Sequence, residues 1–226
     1  MVSTQFTLYA HPGPNTLKVA ILLEKLGLSY KLISLEAFSE EAEKGMKGED
    51  FLAINPNGRV PAIVDHNAND FAVWESGAIL LYLTEVYDKQ GKFFGKTPQE
   101  RAVTAQWLTF QLSGLGPVQG NLNFAHIYWK KFYNEEPSKS VFTRFEGESH
   151  RLYKILDDHL ALQAQHGSQW IALDRPSIAD FAFYPWVRIA FASKLHISQY
   201  TNVAKWRNAL ASDKDVETAQ TKQASM

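Results

Sequence analysis

The chain opens on a short apolar-rich run, Phe6–Ala10, that reads as a strand, and the period then changes. After the punctuation His11-Pro12-Gly13-Pro14, apolar Leu17, Ala20, Ile21 and Leu23 recur at helical spacing over residues 15–26, with a stop at Gly27. Residues 30–35 form a second strand pattern, and the charged stretch 40–50 suits a solvated loop or an exposed helix. Asn55-Pro56-Asn57-Gly58 is a strong turn signal. Residues 60–65 and Phe71–Trp74 make two further strands around a hairpin turn at 66–69, and a helix starts near Ser76.

The order β-α-β, connection, β-hairpin, helix predicts a thioredoxin-like α/β domain over residues 1–87. Residues 88–98 are polar and carry two glycines and a proline, so they predict a linker that packs down through Phe93 and Phe94. Beyond it only helical periods recur, at 101–114, 121–132, 140–165, 177–192 and 203–210, which predicts an all-helical bundle over 99–226. The last dozen residues are polar and small and are expected to lie loosely on the surface.

Composition narrows the chemistry. A formal net charge of −1 without a basic block argues against nucleic acid as a partner. No apolar run reaches membrane-spanning length and the N-terminus lacks a secretory pattern, so a cytoplasmic protein is expected. The seven histidines are scattered without metal-ligand spacing, so no metal is expected. Cysteine is absent, and any thiol chemistry must come from a ligand.

The segments Asn57-Gly58-Arg59-Val60-Pro61 and Trp74-Glu75-Ser76-Gly77 point to such a ligand. A cis bond before Pro61 would turn the N–H and C=O of Val60 outward, where an extended peptide pairs with them as an added strand does. Ser76 at a strand-to-helix junction can hold a carboxylate with the first helical N–H groups, and Glu75 can hold an ammonium. An ammonium and a carboxylate at one end, a peptide in the middle and a thiol describe glutathione. Taken singly, Pro61 could merely end a loop and Ser76 merely cap a helix. Their joint spacing favours the ligand.

With these segments, Pro14-Asn15-Thr16-Leu17-Lys18-Val19-Ala20-Ile21, Asn55 to Ala62 and Gly114-Leu115-Gly116-Pro117 closely resemble the soluble glutathione transferases. The resemblance covers nearly the whole chain and is narrowest to the branch that holds the yeast nitrogen-catabolite regulator and prion protein, its fungal relatives and the bacterial nu-class enzymes. It implies that Val60 pairs with the cysteinyl part of glutathione, that Glu75 and Ser76 bind its γ-glutamyl end, and that Asn15 faces the sulfur. Lys47 and Arg59 are the candidates for the glycyl carboxylate, Lys47 on the weaker alignment. The family also implies a homodimer and an electrophile pocket for hydrophobic small molecules, for which Pro12, Phe124 and Tyr128 are the candidates.

A free thiol has a pKa of about 8.5, and lowering it by two units takes about 2.7 kcal/mol. A hydrogen bond to a charged acceptor supplies roughly 1.5–3 kcal/mol and a helix N-terminus roughly 0.3–1, so an Asn15 amide suffices as activator. Asparagine is also an ordinary helix-start residue, and Tyr9, where other branches keep a catalytic tyrosine, is the rival donor. Gly13 stands where bacterial relatives often carry a threonine. Ser177-Ile178-Ala179-Asp180 reads as a structural capping box, and Gly114, Gly116 and Gly120 do not sit in the βαβ context of a dinucleotide fingerprint. The expected activity is transfer of glutathione to an apolar electrophile, with peroxide or disulfide reduction as further uses of the same thiolate. A non-catalytic ligandin or a regulatory binding protein of the same fold is the alternative.

Overall fold

A computed structural model describes residues 4–226. Strands β1 (Phe6–Ala10) and β2 (Tyr30–Ser34) flank helix α1 (Pro14–Lys25); α2 (Glu49–Ile54), β3 (Ala62–Asp65), β4 (Phe71–Trp74) and α3 (Ser76–Tyr87) follow. The sheet order is β2-β1-β3-β4, with β1 parallel to β2 and antiparallel to β3, and β3 antiparallel to β4. This is the thioredoxin-like arrangement expected from the sequence.

Chain pattern explains the layering. Alternate β1 side chains Phe6, Leu8 and Ala10 are fully buried, and Phe6 meets Tyr87 of α3 edge-on at 5.2 Å. Tyr9 points to the opposite face, where it joins a second apolar cluster of Leu35, Met46, Phe51 and Ala62. The charged stretch 40–50 resolves into turns, tied to Glu36 by a bridge from Gly45, that lead into the single short helix α2. Gly45 and Gly48 are required there, because a Cβ on either would lie 2.1 Å from a backbone carbonyl oxygen.

The remaining helices are α4 (Pro98–Phe110), α5 (Gly116–Ile127), α6 (Trp129–Tyr133), α7 (Lys139–Gln165), α8 (Ile178–Arg188), α9 (Thr201–Ala211) and α10 (Lys214–Ala224). Between α4 and α5 the backbone stays helical through a π-turn at Gln111–Leu115, a local widening that the apolar period alone does not reveal. Gly116 and Gly120 are packing positions: a Cβ at Gly120 would come within 3.2 Å of the Trp186 ring. Buried Gln119 ties three helices, accepting from the Tyr153 hydroxyl at 2.8 Å and donating to the Trp186 carbonyl at 2.9 Å.

The chain divides into two compact units, residues 4–94 with 211–226, and residues 95–210. The C-terminal segment therefore belongs with the sheet domain and not with the bundle to which the sequence pattern assigned it. Nor is it loose. Helix α10 buries Val216 and Ala219 completely, and its ion pairs to α1 supply what so few apolar residues cannot. Among the described residues no helix is long and apolar enough to cross a membrane.

The capping box is present, and it does more than cap. Both oxygens of fully buried Asp180 are used: Oδ2 accepts from the Ser177 N–H and hydroxyl, Oδ1 from the Ile171 N–H and the Trp206 indole, all at 2.8–3.0 Å. Asp180→Ala leaves these donors unpaired in a dry core. It is expected to lower the unfolding free energy by more than about 3 kcal/mol in urea denaturation, against under about 0.5 kcal/mol for the exposed Asp174→Ala.

Candidate functional site

The first unit contains a cleft, open to solvent and lined by Asn15, Asn55, Arg59, Val60, Pro61, Glu75 and Ser76. Six of these seven were singled out from the sequence. Three local constructions bring them together.

The first is the loop before β3. Asn55 ends α2 with its side chain buried: Nδ2 donates to the Arg59 carbonyl at 2.6 Å and Oδ1 accepts from the Asn57 N–H at 3.0 Å. Gly58, at φ +60, lets the backbone turn where a side chain would be strained. The Val60–Pro61 peptide that follows is cis. The β3–β4 ladder begins only at Ala62, so Val60 stands outside it at the cleft wall. Asn55 was read from the sequence as a turn residue alone; the Asx pattern Asn-Pro-Asn was the signal that its side chain would organise the turn.

The second is the start of α3. Glu75 is its N-cap and has φ +69, ψ 119, a backbone conformation that costs a non-glycine residue roughly 1–3 kcal/mol and that tends to persist where function needs it. Its side chain is exposed at the cleft, whereas Ser76, the first helical residue, is 4% exposed and lines the cleft where the helix's first N–H groups lack intrahelical partners.

The third is the start of α1. Gly13 caps the helix without a side chain, Pro14 is its first residue and Asn15 its second, half-buried at the cleft. One turn later lies Lys18, a lysine only 1% exposed. Burial drives its pKa down to about 7, partly opposed by the charge of Glu75. The helical period placed Lys18 among apolar neighbours, and nothing in its spacing marked it as a charge within reach of the site.

The other candidates lie elsewhere. Lys47 is exposed and its ammonium donates to the Asn57 carbonyl at 2.9 Å, buttressing the loop from outside the cleft lining. Tyr9 does not line the cleft; its ring packs on Phe51 at 5.4 Å, and burial, with a smaller push from Asp50, raises its pKa. Pro12 is exposed in the loop before α1. Phe124 and Tyr128 belong to the second unit, where their rings stand 6.0 Å apart beside Phe132 and Tyr133. Among the described residues no group of three or more histidine, aspartate or glutamate side chains could hold a metal ion.

The first unit is thus a thioredoxin-like sheet with a cis-proline loop and two helix starts at one cleft, and a helical unit follows it along the chain. Residues 4–85 match the glutathione S-transferase N-terminal domain and residues 122–214 the C-terminal domain. The chain belongs to the glutathione S-transferase family. It is 36% identical to the disulfide-bond oxidoreductase YfcG of Escherichia coli over 91% of this chain and 89% of that protein. It is 38% identical to glutathione S-transferase 2 of Schizosaccharomyces pombe over 80% and 74% of the two chains. Among solved structures, the glutathione transferase URE2P6 of Phanerochaete chrysosporium in complex with oxidised glutathione superposes with a TM-score of 0.86 at 34% identity, covering 99% of this chain and 98% of that one.

The buried lysine gives the stability a predictable pH dependence. Below about pH 7 both the folded and unfolded states carry the Lys18 proton, and the burial cost is fully felt. Between that pH and the unfolded pKa of about 10.4 the unfolded chain binds more protons, so this group's contribution to stability rises with pH. The stability difference between Lys18→Met and the parent, from urea unfolding, is therefore expected to be most favourable to the variant at pH 6 and to decline steadily towards pH 9. A difference independent of pH would show that Lys18 keeps an ordinary lysine pKa.

Proposed function

We propose that the cleft binds glutathione and that Asn15 holds its sulfur as a thiolate for attack on a hydrophobic electrophile. The single observation that carries this reading is the gathering of Asn15, Val60, Glu75 and Ser76 around one cleft. Each part of the tripeptide finds its complement. Glu75 takes the γ-glutamyl ammonium, while the Ser76 hydroxyl and the N–H groups opening α3 take the neighbouring carboxylate. Val60 pairs with the cysteinyl peptide through its own N–H and C=O. Arg59 is the exposed cation at the cleft for the glycyl carboxylate, with Lys47 a more remote second.

In this reading the Asn15 amide donates to the sulfur at the start of α1, where the helix dipole also favours negative charge. The thiol proton passes to solvent. The sulfur pair forms a new C–S bond, and the electrophile's leaving group departs with the electrons of the broken bond. Pro12, in the loop before α1, is proposed as a contact for apolar electrophiles, whose recognition is by shape. The bacterial relative's being a disulfide-bond oxidoreductase and the oxidised glutathione bound to the fungal one support disulfide reduction as a second use of the site. There the thiolate attacks a disulfide, releases one thiolate and leaves a mixed disulfide. A second glutathione resolves it to oxidised glutathione, since the chain has no cysteine to do so. Assembly as a symmetric dimer is part of the same proposal, and the exposed Phe71, Trp74 and Leu81 of the first unit favour it.

The ultraviolet absorbance of bound thiolate tests the assignment. The wild type saturated with glutathione at pH 7 is expected to show it, Tyr9→Phe to retain it, and Asn15→Ala to lose roughly three-quarters of it or more, as removal of a hydrogen bond to a charged acceptor implies. Loss in Tyr9→Phe with retention in Asn15→Ala would transfer the donor role to Tyr9. A wild type that binds glutathione wholly as thiol would refute the catalytic reading.

A further inference from the structure

The C-terminal helix reaches back to the residue that starts α1. Gln223, 8% exposed, donates from Nε2 to the carbonyl of Gly13 at 2.8 Å. Farther along α1, the Lys25 ammonium binds Asp213 at 2.5 Å and Asp215 at 2.9 Å, and Lys222 binds Glu24 at 2.6 Å. Those ion pairs fasten α10 in place, and Asp213 caps it by accepting from the N–H groups of Asp215 and Val216.

The Gln223 contact falls at the head of α1, on the carbonyl of its N-cap residue. Gly13 is an extended N-cap with no side chain: the Pro14 ring restricts one torsion of the peptide between them, but the other, the Gly13 ψ, has no side chain to limit it. Asn15 follows one residue later, and a swing of that peptide moves the Asn15 amide. A carbonyl oxygen can accept two hydrogen bonds, so Gln223 adds to the one that the helix itself makes. A buried amide is costly unless it is used, and packing alone would be met by an apolar side chain here, next to buried Val216 and Ala219.

We propose that Gln223 is a positioning residue for Asn15: by holding the Gly13 carbonyl, the C-terminal helix fixes the donor that faces the sulfur. This rests on the reading of Asn15 given above. The site is then assembled from both ends of the chain, although the helix that completes it touches neither substrate nor sulfur.

Two measurements test it on the full chain, with Gln223→Leu and the shape-conserving Gln223→Glu as variants and thermal unfolding as the check that each is folded. In ligand-free protein, amide exchange at Leu17, whose N–H binds the Gly13 carbonyl in an α-helical pattern, is expected to quicken roughly fivefold, the effect of one hydrogen bond. With glutathione bound, the thiolate fraction at pH 7 is expected to fall by up to roughly fourfold in the parent background and not to fall further in Asn15→Ala. Unchanged exchange at Leu17, or an equal loss of thiolate with and without Asn15, overturns the proposal while leaving glutathione chemistry at the site intact. Absence of thiolate in the wild type overturns the preceding reading and this one together, even if exchange quickens.

Discussion

Two helix starts opening on one cleft are the constraint on which the rest of this molecule depends. The first N–H groups of a helix have no partner within it and carry partial positive charge, so an anion is favoured wherever they meet. Asn15 stands at the second position of α1 and Ser76 at the first of α3, and both line the cleft. The sheet order β2-β1-β3-β4 supplies the geometry: α1 leaves the end of β1, α3 leaves the end of β4, and β3 lies between those two strands. One start suits a carboxylate and the other a thiolate.

The arrangement is maintained against local cost. Glu75 occupies an unfavourable backbone conformation, Lys18 is a charge carried into the interior, and Gly13 begins a helix without a capping side chain. Buried amides bind backbone at two points, Asn55 in the cis-proline loop and Gln223 at the head of α1. The chain lacks sulfhydryls, so the protein has no reactive sulfur of its own to position. In the proposed function its residues orient one brought by a ligand.

Much of this was legible in the sequence, and the boundary has physical causes. Apolar period and turn signals located β1, α1, the β3–β4 hairpin and α3 within a residue or two, because those elements bury continuous apolar faces. Val60, Glu75 and Ser76 were legible as neighbours of one cleft because their spacing from strand ends and turns carries meaning, whereas Asn15 was singled out by the family resemblance. Helix α10 was not: its buried face is Val216, Ala219 and Gln223, too polar and small for periodicity to detect, and its partners lie some two hundred residues away. Lys18 and Asn55 were hidden for a related reason. Their roles follow from burial and from bonds to backbone atoms, neither of which local composition encodes.

The most direct measurement is calorimetric titration of the folded protein with reduced and with oxidised glutathione, repeated on Glu75→Gln. The account predicts saturable binding at one site per chain, weakened roughly ten- to a hundredfold in the variant by the lost charge on the γ-glutamyl ammonium. Absence of binding to either form, or equal affinity in the variant, would contradict it.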